Sequence, residues 1–212
     1  MSKTAYSYIR DPSEIYRQSF AAIRRETDLS RVESNLVPLA LRLVHACATP
    51  DIVNDLAASP GAARAGCDAL ANGALILADV EMVARGIIAN RLPQDNKVMC
   101  RLSDPTIPGL AKSQNTTRSA AAVNLWPEHL AGAIVAIGNA PTALFRLLEG
   151  LAEGWPAPAL ILGFPVGFIG ATESKEALID SNLGVPYITL RGRRGGSAMA
   201  AAAVNALTSC TE

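Results

Sequence analysis

Two polar side chains stand in an otherwise apolar stretch and raise the question of chemistry: Arg42 and His45, within Leu36-Val-Pro-Leu-Ala-Leu-Arg-Leu-Val-His-Ala-Cys47. Their i, i+3 spacing puts both on one side of a helix. Leucine and valine fill the other faces, so the pattern predicts a helix apolar nearly all round and buried. An unpartnered polar group is costly in such a place, so something polar must meet them. The histidine then reads as either a core imidazole bonded to a backbone carbonyl or an acid–base group in a dry pocket, since this residue type exchanges protons near neutral pH. His129, in Trp126-Pro-Glu-His-Leu-Ala-Gly132, precedes a helix-ending glycine, where a cation favours the dipole, and reads as structural.

A second group of residues could hold an anion. In an open α/β sheet, ligands bind outside the carboxyl ends of the strands. Three junctions of that kind are rich in glycine and proline: Gly138-Asn139-Ala140-Pro141-Thr142, Gly163 to Lys175, and Arg191-Gly-Arg193-Arg194-Gly-Gly-Ser197. At the first, Asn139 and the free backbone N–H groups of the following helix could take a carboxylate or phosphate. None of the three matches G-x-G-x-x-G or a P-loop, which leaves a dinucleotide reading without its fingerprint. Cations nevertheless crowd these ends: Arg118 after Thr116-Thr117, Lys175 after Thr172, and Arg193 and Arg194 before the last helix. Helix first turns disfavour cations by about 0.3–1 kcal/mol each. A surface pair with Glu173 or Glu176 could explain Lys175 alone. The set predicts a pocket for an anion with several negative groups.

The elements that must position these residues fit one domain, because 212 residues with half of them hydrophobic can bury a substantial core. Lysine plus arginine equals aspartate plus glutamate at 19 each, so no global charge points to nucleic acid or an anionic membrane. The opening Met-Ser-Lys-Thr-Ala-Tyr-Ser-Tyr-Ile-Arg lacks a signal-like apolar core, and a cytoplasmic protein is expected. Trp155 to Thr172 is uncharged, but proline and glycine interrupt it, so a buried strand and loop are expected rather than a membrane span. Cys47, Cys67, Cys100 and Cys210 show no metal-ligand spacing and read as small core residues in a reducing compartment; no protein-bound metal is expected.

Along the chain, Pro12 to Thr27 predicts a helix capped by Asp11, with Ser19 on or beside its inward stripe. After the His45 helix, 51–58 is ambiguous. From Ser59 short hydrophobic runs alternate with helical patterns: strands at 74–80, 97–102, 133–138, 159–164 and 187–191, and helices at 59–72, 104–113, 116–130, 141–152, 172–181 and 197–208. Continuous hydrophobic strands belong to a parallel sheet covered on both faces. The expected architecture is α/β, a three-layer α/β/α domain with a five-stranded parallel sheet, residues 1–58 forming a helical extension and 59–212 the core.

Several stretches together resemble the precorrin-8X methylmutase family of corrin biosynthesis: Ile15-Tyr-Arg-Gln-Ser-Phe20, Val44-His-Ala46, Ser59-Pro-Gly-Ala62, Asp79-Val-Glu-Met-Val83, Thr116-Thr-Arg-Ser-Ala120, Ala136-Ile-Gly-Asn-Ala-Pro-Thr-Ala143, the 163–175 crossing and Arg191-Gly-Arg-Arg-Gly-Gly-Ser-Ala-Met199. The family usually has a glycine near Ala48, where this chain reads Ala48-Thr49-Pro50. The resemblance implies a flavodoxin-like fold, a homodimer with active sites at or near its interface, and a cofactor-free isomerisation in which a methyl group moves from C-11 to C-12 of the tetrapyrrole precorrin-8X to give hydrogenobyrinate. It implies His45 as the general acid, with Ser19 and Arg118 holding substrate. Arg42, Asn139 and Lys175 join them as expected carboxylate ligands on physical grounds. The alternatives are cobalt-precorrin-8 methylmutase of the anaerobic pathway and a non-catalytic flavodoxin-like binding module.

Overall fold

The computed structural model describes residues 6–208. The first helix, α1 (Pro12–Glu26), begins where expected: the Asp11 side chain accepts from Ser13 N–H at 2.9 Å and Pro12 occupies the first turn. It packs on α2 (Val37–Cys47), the helix of Arg42 and His45. A 3₁₀ turn at Pro50–Asp55 leads into β1 (Leu56–Ala58). Then follow α3 (Ala62–Ala71), β2 (Ile76–Ala78), α4 (Glu81–Gly86), β3 (Val98–Cys100), α5 (Ile107–Ser113), α6 (Arg118–Val123) and α7 (Pro127–Leu130). The chain closes with β4 (Ile134–Ile137), α8 (Pro141–Ala152), β5 (Leu160–Gly163), α9 (Ala171–Asp180), β6 (Tyr187–Leu190) and α10 (Ser197–Leu207).

The strand residues explain why helices lie on both sides of the sheet. Successive side chains of a strand point to opposite faces. Ile76, Ala78, Ile134, Ala136, Leu160 and Leu162 enter one core, with the apolar residues of α2, α3 and α10. Leu77, Val135, Ile137 and Ile161 enter the other, with Trp126, Leu144 and Leu147. Small residues bring α10 close to the sheet and its neighbours. A Cβ on Gly138 would stand 2.7 Å from Ser197 Cα, and one on Gly86 would stand 2.7 Å from Ala201 Cβ. The one amide of this alanine-rich helix is also placed: Asn205 accepts from Ile88 N–H at 2.9 Å and donates to Gly86 C=O at 3.0 Å.

The sheet corrects the expected five strands. It has six among the described residues, in the order β1-β6-β5-β4-β2-β3, and β1 runs antiparallel to β6 with Leu56 opposite Leu190. Three residues, Leu-Ala-Ala, carry too little periodicity to reveal a strand, so the sequence pattern leaves β1 inside the extension ending at residue 58. The expected helix over 116–130 is two, because Pro127 has no N–H to continue the first. Helix α4 was not anticipated. The five parallel strands by themselves follow the 2-1-3-4-5 order of doubly wound sheets, with the order reversing between β2 and β4.

Among the cysteines, Cys47 and Cys100 are free, whereas Cys67 is disulfide-bonded, which corrects the expectation that all four are reduced. Cys210 lies outside the described residues. Within them, no helix is long and apolar enough to cross a membrane.

Candidate active site

Helices α1 and α2 build a site around His45. Tyr16 and Phe20 are one turn apart on α1, with ring centroids 4.5 Å from each other. The His45 imidazole stacks on Phe20 at 5.0 Å and 18°. The Arg42 guanidinium lies 5.4 Å from the Phe20 centroid and 5.6 Å from that of Tyr16, within cation–π range. Ser19, beside Phe20, is half-buried.

The expectation that this helix is buried on every side is corrected. Leu39, Ala40, Leu41, Leu43 and Val44 are buried, but the side bearing Arg42 and His45 turns towards α1 and solvent, and His45 is exposed. It is therefore not a core histidine satisfied by a carbonyl. Arg42 forms no ion pair with a carboxylate among the described residues, and α1 itself buries none of its residues. The result is an open surface carrying an imidazole and a guanidinium on shared aromatic rings. A separate cleft of 730 Å³ lies against β3 and α4, lined by Glu81, Arg85, Lys97 and Arg101, and does not include His45.

Helix α2 ends in a left-handed residue. Ala48 has φ 51° and ψ 35°, and its N–H closes the last turn on Val44 C=O at 2.7 Å. Glycine is the residue that adopts this conformation without steric cost, whereas an L side chain costs about 1–2 kcal/mol. The larger freedom of glycine in the unfolded chain returns part of that difference. Ala48→Gly is accordingly expected to stabilise the fold by about 0.5–1 kcal/mol in urea unfolding at fixed protein concentration. A measured loss of stability would mean that the alanine methyl makes contacts outweighing the strain.

The carboxyl edge of the sheet holds the other expected residues. Asp79, just after β2 and only 3% exposed, accepts from Gly138 N–H, Asn139 N–H and Ala140 N–H, each at 2.9 Å. Burial pushes its carboxyl above the usual aspartate range, while the three N–H groups pull it back down. The N–H groups of residues 138–140 are thereby taken by an internal carboxylate and are not free for an external anion. The Asn139 residue itself is exposed beside that loop. Thr117, which caps α6 through Ala120 N–H at 3.1 Å, also shares a 2.8 Å hydrogen bond with Thr142 at the start of α8. Arg118, the residue after Thr117, is exposed, with a 3.5 Å contact to Leu102 C=O.

The remaining cations divide. Arg194 grips Asp51 at 2.9 Å and Asp55 at 2.6 Å, and Arg191 pairs with Glu176. Arg193 instead lies 5.4 Å from the ring of Phe168, a side chain 85% exposed next to the equally open Ile169. Lys175, expected as a carboxylate ligand, is instead buried, and its Nζ donates to Arg194 C=O at 2.6 Å. Thus Arg42 and His45 share the aromatic pair of α1, on which Ser19 precedes Phe20, Arg118 and Asn139 are exposed next to helix starts joined by the Thr117–Thr142 bond, and Lys175 lies beneath the surface.

The sequence matches the precorrin-8X methylmutase family over residues 14–210. The chain belongs to that family. A precorrin-8X methylmutase of Pseudomonas aeruginosa is 60% identical over 94% of this chain and 96% of its own length, and one from a Sinorhizobium species is 55% identical over 95% and 96%. A cobalt-precorrin-8 methylmutase of Priestia megaterium is 36% identical over 93% of this chain and 87% of its own. The crystal structure of the Thermus thermophilus precorrin-8X methylmutase superposes with a TM-score of 0.84 at 38% identity, covering 92% of this chain and 94% of that one.

Within this candidate site, sequence reasoning missed three features. The Tyr16 and Phe20 platform was visible only as an i, i+4 aromatic pair, which more often means core packing. Asp79 was visible as an acid directly following a buried strand, the position from which it reaches the neighbouring turn. The pairing of Thr117 with Thr142 had no signal at all, since it joins two helix starts distant in sequence.

Proposed function

We propose that His45 is the general acid of the methyl migration and that Ser19, Arg42, Arg118 and Asn139 hold the tetrapyrrole. The activity is that of the family, an isomerase of cobalamin biosynthesis. As the reaction proceeds, the bond from C-11 to the methyl breaks while the bond to C-12 forms. A proton lent to the macrocycle by His45 makes the shift easier and returns to the imidazole, so substrate and product keep one composition and no cofactor enters the balance. The observation that carries the reading is the exposed His45 sharing an aromatic platform with Arg42, a cation with no carboxylate partner among the described residues. Flat rings suit a flat macrocycle, and the guanidinium suits its rim carboxylates.

Metal-free precorrin-8X is the substrate in this reading, supported by relatives of that name at 60% and 55% identity against 36% for the cobalt-precorrin relative. A homodimer accompanies it, because the open His45 surface and the exposed Tyr8, Ile9, Ile15 and Tyr16 leave a reacting macrocycle without cover in one protomer. The 2-1-3-4-5 parallel strands support a flavodoxin-like assignment, and a cytoplasmic location is part of the same proposal.

The test is an absorption spectrum after mixing with each precursor, since methyl migration changes conjugation. The metal-free precursor should convert faster than the cobalt one; the reverse order would shift the assignment to the anaerobic enzyme. In the same assay Arg118→Ala should weaken ligand binding by about 1.5–3 kcal/mol, the worth of a charge-assisted hydrogen bond. Its thermal stability should hold or rise, because the residue is a first-turn cation with one long contact. Lost stability with unchanged affinity would make Arg118 structural.

A further inference from the structure

The chemistry proposed above leaves Lys175 unused, yet Asp79 and Lys175 are the charged side chains buried among the described residues, and Lys175 is 0% exposed. Burial pushes its ammonium down to about 8, against the pull of Asp55 and Glu176. A methionine of similar length would fill such a place without that desolvation, so the charge needs another explanation.

Its geometry supplies one. Nζ donates to the carbonyl of Arg194 at 2.6 Å, in the loop between β6 and α10. The loop is fastened to the one after β5 by Gly196 N–H to Phe164 C=O at 2.8 Å and by Gly167 N–H to Arg193 C=O at 3.3 Å. A Cβ on Gly195 would stand 2.7 Å from Pro165 O, so the two loops fit only at this separation. The guanidinium of Arg194 reaches Asp51 and Asp55 in the 3₁₀ turn, and Arg191 N–H adds a 2.7 Å bond to Asp55 C=O. That turn follows directly on the strained end of α2 at Ala48, and His45 is in the last turn of α2.

We propose that Lys175 is a positioning residue for the methyl migration: by holding the Arg194 carbonyl it sets the guanidinium that grips Asp51 and Asp55, and so fixes where α2 presents His45. The proposal rests on His45 as the proton donor. It replaces a direct hold on substrate by an action through the protein, from α9 across the loop to the catalytic helix. A misplacement of about 1 Å far from the chemistry can cost a hundredfold in rate, so a single buried anchor is enough to matter.

The test uses the full chain carrying Lys175→Met, assayed well below its melting temperature. Turnover, kcat, should fall about ten- to a hundredfold, while KM and calorimetric product affinity stay within about threefold, and the His45 imidazole resonances should move. A merely structural lysine would lower the melting temperature and leave kcat and those resonances in place, which overturns the proposal. If Lys175→Met yields no folded protein, Asp51→Asn with Asp55→Asn breaks the same tie from its solvent-accessible end. The same split between kcat and KM is expected there, and normal kcat in that variant also overturns it. His45→Ala is run alongside. An inactive His45→Ala beside a fully active Lys175→Met removes the positioning role alone, whereas an active His45→Ala removes the acid assignment and this proposal together.

Discussion

His45→Ala is expected to lower turnover by about 10²–10⁴-fold, the usual worth of a positioned general acid, while the affinity for the tetrapyrrole changes little. The split follows from what the imidazole is asked to do. Its proton interacts more strongly with the macrocycle in the transition state than in the bound ground state, so its loss falls on kcat rather than on binding. Stability should be nearly unaffected, because His45 is exposed and its ring rests on a Phe20 that remains in place. Single-turnover absorption kinetics with calorimetric product binding separate the two quantities. Turnover close to the parent's would remove His45 as the acid, and a large loss of affinity with it would make the ring a binding platform instead. His129→Ala is the internal control, since that imidazole is half-buried beside Glu128 at 3.3 Å, in a short helix away from α2.

The second large effect concerns stability. Asp79→Ala strips the acceptor from three backbone N–H groups at the turn after β4, two of them on buried residues. Hydrogen bonds to a charged group are worth about 1.5–3 kcal/mol each, and the three are not additive because burial of the carboxylate opposes them. A net loss of about 3 kcal/mol or more is expected in urea unfolding, with a local rearrangement at Asn139. Asp79→Asn should cost less, since one side-chain oxygen still accepts. A loss below about 1 kcal/mol in the alanine variant would show that water replaces the carboxylate readily, and the 138–142 turn would then be open to an external anion after all.

Asp79 also marks the limit of reading this chain as a string. The Gly-Asn-Ala-Pro-Thr junction has the composition of an anion cradle, and the sequence cannot say that an aspartate some sixty residues earlier occupies it. Lys175 shows the same limit in the opposite sense: its place in a first turn suggests a ligand for a substrate carboxylate, but the loop after β6 folds over it. Both errors have one physical origin. Helix-end preferences describe a helix surrounded by water, whereas these ends are covered by segments that the sheet order, not the local sequence, brings there.

Local pattern determined much by itself. Continuous hydrophobic runs dictated the parallel strands, Pro12 with the Asp11 cap dictated the start of α1 and Pro141 that of α8, and the Arg42–His45 spacing placed both on one side of α2. Membership of the methylmutase family was legible in motifs from one end of the chain to the other. Only the tertiary structure decided which apolar side of α1 meets His45, that Leu56–Ala58 pairs antiparallel with β6, and which arginines are bound by acids and which are not. The reason is that propensity and periodicity act over a few residues, whereas a hydrogen bond, a ring stack or an ion pair depends on distances that only the closed fold sets.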